Sequence, residues 1–192
     1  MKALLFVIGL LLTSLAAPAQ DGGVTFRVDE QLNLWLPEQP QELNVAQTLK
    51  DRNSASKNEP MAQVTRAFRL EDGVATYIII RIPLAEPPPL PASFAERKAY
   101  YTDRTIPLLM TQAKGEVLTQ SVEQLAGADV ITLKFQALNA AGQPSVKYLR
   151  TFTLGRIVYQ LYFVPRDGRG DDSQQLRNWF FSFKRPTPVA KP

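Results

Sequence analysis

The chain of 192 residues contains neither histidine nor cysteine. Without imidazole there is no Ser-His-Asp or Cys-His nucleophile system and no histidine general base, and the usual ligands of a tetrahedral zinc site are missing. Without cysteine there are no disulfides, so a fold kept in an oxidising compartment has to rest on its hydrophobic core. No glycine-rich nucleotide loop with its lysine occurs. The formal net charge is only +4, and no run of five or more Lys and Arg marks a nucleic-acid footprint. These absences point to a protein with no catalytic set, no cofactor, no metal site and no nucleic-acid partner.

What is present begins with a targeting signal. Lys2 supplies a short positive start, Ala3 to Leu15 is apolar apart from Thr13 and Ser14, and Ala17-Pro18-Ala19 has the small-x-small form of a cleavage site. A signal peptide is expected over residues 1–19, cleaved near Ala19, with export to the periplasm or the extracellular space. The apolar stretch is short for a bilayer span and no later one replaces it, so no transmembrane segment is expected in the mature chain. No Cys follows it, which excludes a lipoprotein-type anchor. About 173 residues remain after cleavage, enough for one domain with its own core. With no internal repeat and no long linker, that domain is assigned to residues 20–185, followed by a disordered proline-rich tail over 186–192.

Strand-period alternation runs through Val24 to Val28 and Leu32 to Leu36, with a turn at Asp29-Glu30-Gln31 and prolines 37 and 40 as a stop. Lys50 to Pro60 is polar and breaker-rich, the composition of an exposed mobile loop. Val64 to Leu70 and Val74 to Ile82 form a predicted hairpin across Glu71-Asp72-Gly73, where glycine can take positive φ without steric cost. The continuous run Ile78-Ile79-Ile80 predicts a central strand covered on both faces. After the stiff Pro87-Pro88-Pro89-Leu90-Pro91 connector, Ser93 and Glu96 form a capping-box pattern. It predicts a helix from Phe94 to about Ala113, kinked or broken near Pro107. Strands follow at about Glu116 to Leu125, Val130 to Leu138, Val146 to Thr153 and Ile157 to Val164. A last helix places Leu176, Trp179, Phe180 and Phe183 on one face, with Phe181 off it and Asp172 or Ser173 as cap. Many antiparallel strands with one inserted and one terminal helix make an α+β fold.

The order of these elements resembles a known family. The quoted residues are Phe26 to Val28, Leu34 to Pro40, the hairpin Tyr148 to Tyr159 with Leu161, and Trp179-Phe180-Phe181-Ser182-Phe183-Lys184. They resemble the PsbP-like superfamily, which includes the photosystem II extrinsic P subunit and many bacterial envelope proteins. The resemblance spans about Val24 to Lys184. It implies an α-β-α sandwich around an antiparallel sheet and a non-enzymatic role in binding or assembly. It transfers no functional residue, because the matching positions are scaffold positions.

Candidate chemistry is sparse. Glu71-Asp72 and Asp171-Asp172 are adjacent acidic pairs, both in predicted turns, where acids serve turn and cap hydrogen bonds. A carboxylate-based hydrolase of envelope polysaccharide is the alternative function, and it needs two acids roughly 5–9.5 Å apart in one pocket. Asp167 to Asp172 is acidic and glycine-rich like a calcium loop, but lacks the alternating ligands and the bidentate Glu at the twelfth position, leaving at most weak surface binding. The same turn carries an Arg169-Gly170-Asp171 tripeptide, which the turn's own need for Gly and Asp explains. The candidate partner surface is the first helix, where Arg97, Tyr100, Tyr101 and Arg104 interleave basic and aromatic groups. The expectation is an exported non-enzymatic binding or accessory protein of the bacterial cell envelope, with a protein or envelope component as partner.

Overall fold

The first two strands fold back on each other at Asp29, whose carboxylate organises the turn. Its Oδ1 accepts from the Gln31 backbone N–H at 2.8 Å, and the Val28 N–H donates to the Leu32 carbonyl at 3.0 Å. The computed structural model describes residues 22–45, 64–139, 141–166 and 173–183. The predicted signal peptide, the 50–60 loop, Asp167 to Asp172 and the proline tail lie outside the described residues. Among the described residues, β1 (Val24–Arg27) and β2 (Asn33–Leu36) form a two-stranded sheet of their own.

The main sheet joins β3 (Gln41–Leu43), β4 (Arg66–Glu71), β5 (Ala75–Pro83), β6 (Gly115–Leu125), β7 (Ala128–Leu138), β8 (Pro144–Leu154) and β9 (Ile157–Pro165). Its spatial order is β3-β4-β5-β9-β8-β7-β6, and every pair is antiparallel. Four local hairpins, β4-β5, β6-β7, β7-β8 and β8-β9, supply most of this order. The non-local pairing is β5 with β9, where Ile79 sits opposite Leu161. Strand β3 has no counterpart in the sequence reading: its three residues follow Pro40, carry Gln and Glu, and are too few to show a period. Partner β4 defines it, with Arg66 Nε donating to Glu42 at 2.8 Å across the exposed edge.

Two turns depart from expectation in how they are held. At Asp72-Gly73 the glycine φ is not positive, and a Cβ there would meet open space. The aspartate makes the turn instead: Asp72 Oδ1 accepts from the N–H groups of Val74 and Ala75, both at 2.7 Å, and Oδ2 accepts from the Tyr77 hydroxyl at 3.0 Å. Between β6 and β7 the connection is shorter than predicted, since β7 starts at Ala128 and not at Val130. Ala126 and Gly127 both take positive φ (51° and 74°), the signature of a two-residue primed turn that follows sheet twist.

The inserted helix begins at its capping box, with Ser93 Oγ accepting from the Glu96 N–H and the Glu96 carboxylate accepting from Ser93. It runs as α1 (Phe94–Tyr100), a π-helical turn (Tyr101–Thr105) and α2 (Ile106–Ala113). Pro107 explains the wide turn: its ring crowds the carbonyl four residues back and it has no N–H to donate. The break falls just ahead of the proline, as the sequence suggests, and the Ile106 N–H bridges to the Tyr101 carbonyl.

Strand alternation separates two cores. On one face, β1-β2 and α3 (Gln174–Phe181) cover Phe68, Tyr77, Ile79, Phe152, Tyr159, Leu161 and Phe163. On the other, α1 and α2 cover Val122, Ile131, Leu133, Phe135, Ala137 and Leu149, with Ile106 and Met110 inserted among them. Each of the larger side chains contributes roughly 1.5–3 kcal/mol through burial. Ile79 is 1% exposed, but Ile78 and Ile80 are only half-buried. The expectation of cover on both faces is corrected, because the described helices lie over β6 to β8 and not over β5.

The rotation of α3 also differs from the helical-wheel reading. Phe180 (0% exposed) and Phe181 (4%) are the buried pair, while Leu176 and Trp179 are half-buried. Phe183 lies beyond the helix end and stacks on Phe152 with ring centroids 4.2 Å apart. Ser173 occupies the cap position, yet its hydroxyl makes no capping bond and is buried without a partner.

Candidate functional site

The four residues expected as a partner surface are divided by the fold. Arg97 is turned inward along the helix base. Its Nε and Nη2 reach the Asp129 carboxylate at 2.5 and 3.2 Å, and its Nη1 donates to the Ala92 carbonyl at 2.6 Å. Tyr101 donates to Asp129 at 3.3 Å and is half-buried on the second core. Burial and the neighbouring carboxylate push its phenol up to about 12. The Arg97 hydrogen bonds hold Asp129 below its ordinary range despite its desolvation. Tyr100 is 37% exposed, with the exposed Arg104 guanidinium 6.0 Å from its ring. Arg97 and Tyr101 thus tie the helix to the start of β7, and Tyr100 and Arg104 face solvent.

A second carboxylate is used in the same structural way. Asp29 Oδ2 accepts from Arg81 Nε and the Tyr159 hydroxyl, both at 2.6 Å, pinning the β1-β2 turn to β5 and β9. Burial raises its pKa, but the bonds from Tyr159, Arg81 and Gln31 outweigh this and leave it below the ordinary value. Glu71 pairs with Arg69 and accepts from Thr76 at 3.1 Å. Among the described residues no group of three acids converges as a metal site.

Three cavities stand out. One, of about 270 Å³, lies by Trp35, Asp72 and Leu176, next to the edge-to-face Trp35–Trp179 pair. Another, of about 280 Å³, is bounded by Pro88, Arg97, Tyr101 and Asp129. The largest, of about 630 Å³, is an open cleft between α3 and the β6-β7-β8 end of the sheet. None of the three has more than one carboxylate in its lining.

The large cleft has a distinct electrostatic character. Its described lining includes Lys134, Arg150 and Arg177 with Thr119, Thr132, Tyr148, Gln174 and Asn178, and no acidic residue is among the described ones. Arg177 lies 4.0 Å over the Tyr148 ring, and Lys134 Nζ is 5.7 Å from the same ring. Arg150 Nη1 donates to the Phe181 carbonyl at 2.7 Å, Nε donates to Thr132 Oγ1 at 3.1 Å, and the guanidinium covers the Phe181 ring. Burial lowers the Arg150 pKa, with the exposed Glu123 acting more weakly in the other direction. No described carboxylate forms an ion pair with any of the three cations. The sequence reading missed this cleft, although one signal was available. Arg150 stands between Tyr148 and Phe152 on the inward parity of β8, a position where an arginine needs a reason.

Fold and cleft together define a sheet-dominated, single-domain α+β protein whose polar cavity opens beside its terminal helix. The chain shares the PsbP-like fold with cyanobacterial PsbP (CyanoP) from Synechocystis, at a TM-score of 0.56 and 13% identity over 91% of this chain and 99% of that one. A protein of unknown function from Pseudomonas aeruginosa superposes more loosely, at a TM-score of 0.45 and 12% identity over 88% of this chain and 98% of that one. No family model matches the sequence, and no curated protein does. Among the described residues no helix is long and apolar enough to cross a membrane.

Proposed function

We propose that this chain is an exported, non-enzymatic binding or accessory protein of the bacterial cell envelope, built on the α-β-α plan of the PsbP-like superfamily. The observation that carries the reading is the open cleft beside α3, which gathers three cations and several neutral polar groups around one cavity with no carboxylate among its described lining residues. Binding there proceeds by complementarity of charge and shape and needs no bond to be made or broken. Two further features support it. Asp29, Asp72 and Asp129, the part-buried or turn-forming acids, are each engaged by donors that hold the fold together. The signal-like N-terminus supplies the route to the envelope.

The test is crosslinking of the full chain, expressed with its leader in its own host, followed by fractionation and identification of its neighbours. Recovery in the exported fraction is expected, with a dominant crosslink that is lost in Lys134→Met and Arg177→Gln and kept in the Tyr100→Ala, Arg104→Gln double variant. Retention in the cytoplasm, or a crosslink lost only in the helix variant, would overturn the reading.

A further inference from the structure

We infer that the cleft between α3 and strands β6 to β8 is a binding site for a phosphoryl group carrying at least two negative charges. This rests on the cleft being the binding site, and it adds the chemical class of the ligand. Lys134, Arg150 and Arg177 converge on one cavity of about 630 Å³. Like charges held this close repel one another, and no described carboxylate forms an ion pair with any of them. The exposed Glu123 biases Arg150 but does not line the cleft. The charge is therefore poised for an anion from solution, and three cations call for more than one negative charge.

The donors are pre-arranged. Stacking on Tyr148 fixes the plane of Arg177, and the Phe181 ring and carbonyl fix Arg150. Arg150 spends two of its five N–H donors on neutral acceptors, leaving the others for a ligand. Thr132 accepts from Arg150 through its oxygen, so its own proton is free to be donated into the cleft. Thr119, Gln174 and Asn178 add hydroxyl and amide donors along the wall. Gln174 also opens α3, whose positive dipole end adds to the same sign of potential. Guanidinium forks with hydroxyl donors from several directions suit a tetrahedral group with several acceptor oxygens better than a planar carboxylate.

The test is calorimetric titration of the full chain with inorganic pyrophosphate, glycerol 3-phosphate and citrate at constant ionic strength, with co-sedimentation on vesicles of phosphatidylcholine with and without phosphatidic acid. Binding of pyrophosphate is expected, weakened roughly tenfold or more by Lys134→Met and by Arg177→Gln, and unchanged by Arg104→Gln. Arg150→Met is read alongside a thermal melt, because Arg150 also supports Phe181; Lys134 and Arg177 carry the result if it does not fold. Glycerol 3-phosphate bound in solution identifies a soluble phosphate ester, whereas sedimentation with phosphatidic acid alone identifies a lipid headgroup; either supports the phosphoryl class. Citrate binding without pyrophosphate binding would overturn that class and keep the cleft. No binding of any phosphoryl probe, with crosslinking still dependent on Lys134 and Arg177, would overturn the ligand and leave the proposed function standing.

Discussion

Replacing Phe181 with alanine separates the helix as the sequence draws it from the helix as it packs. On the helical wheel Phe181 lies off the apolar face, and removing it should cost no more than an ordinary surface change, within about 0.5 kcal/mol. In the fold it is 4% exposed and lies beside Phe180 with ring centroids 5.5 Å apart, under the Arg150 guanidinium at 5.1 Å. Burial of the ring contributes roughly 1.5–3 kcal/mol, and the cavity left behind brings the loss to about 3–5 kcal/mol. The hydrogen bond from Arg150 to the Phe181 carbonyl survives, since it uses the backbone. For a domain of this size the loss corresponds to a drop in Tm of roughly 6–20 °C. Urea and thermal unfolding of the leaderless chain measure it, with exposed Gln175→Ala as control and an unchanged urea slope as the condition for comparison. A Phe181→Ala midpoint as close to wild type as that of Gln175→Ala would refute the packing of α3 described above.

The Asp72-Gly73 turn gives a second contrast. Asp72→Ala removes acceptors for two backbone N–H groups and the Tyr77 hydroxyl and should cost about 1–3 kcal/mol, while Gly73→Ala should stay within about 0.5 kcal/mol because its φ is ordinary and a Cβ is unopposed. Urea midpoints of the two variants decide it, and the reverse order would mean that the glycine conformation controls the turn. Ser173→Ala should be neutral or stabilising by up to about 1 kcal/mol, because it deletes a buried hydroxyl without a partner and no cap bond is lost; a loss of the size expected for a true N-cap would contradict that geometry. Asp29 has a folded pKa below its ordinary 3.8, so its stabilisation is fully present above that value and is lost as pH falls through the lower folded one. Asp29→Asn should therefore be less stable than wild type by on the order of 2 kcal/mol near neutrality, with the gap closing as acidification protonates the carboxylate below its ordinary range. A gap independent of pH in urea unfolding would remove the carboxylate's charge from the explanation.

The chain by itself determined the features that depend on neighbours a few residues away. The alternation in β1, β2, β5 and β7 marks which side chains turn inward, since strand geometry sends successive residues to opposite faces. Ser93 and Glu96 define a helix start, and Pro107 a break, because both act within one turn. The order of hairpins and helices was enough to suggest the PsbP-like fold that the likeness to CyanoP supports. Tertiary structure alone decided the rest. Strand β3 exists because β4 offers it an edge, and the sheet closes because Ile79 finds Leu161 far along the chain. Arg97 and Tyr101 read as a surface until Asp129 is brought beneath them, and α3 shows which aromatics it buries only when laid against Tyr77, Phe163 and Arg150. The cleft is the furthest from the sequence, since Lys134, Arg150 and Arg177 belong to three elements. Local periodicity states which way a side chain points. What it meets there is set by burial summed over the whole chain, and no window of sequence contains that sum.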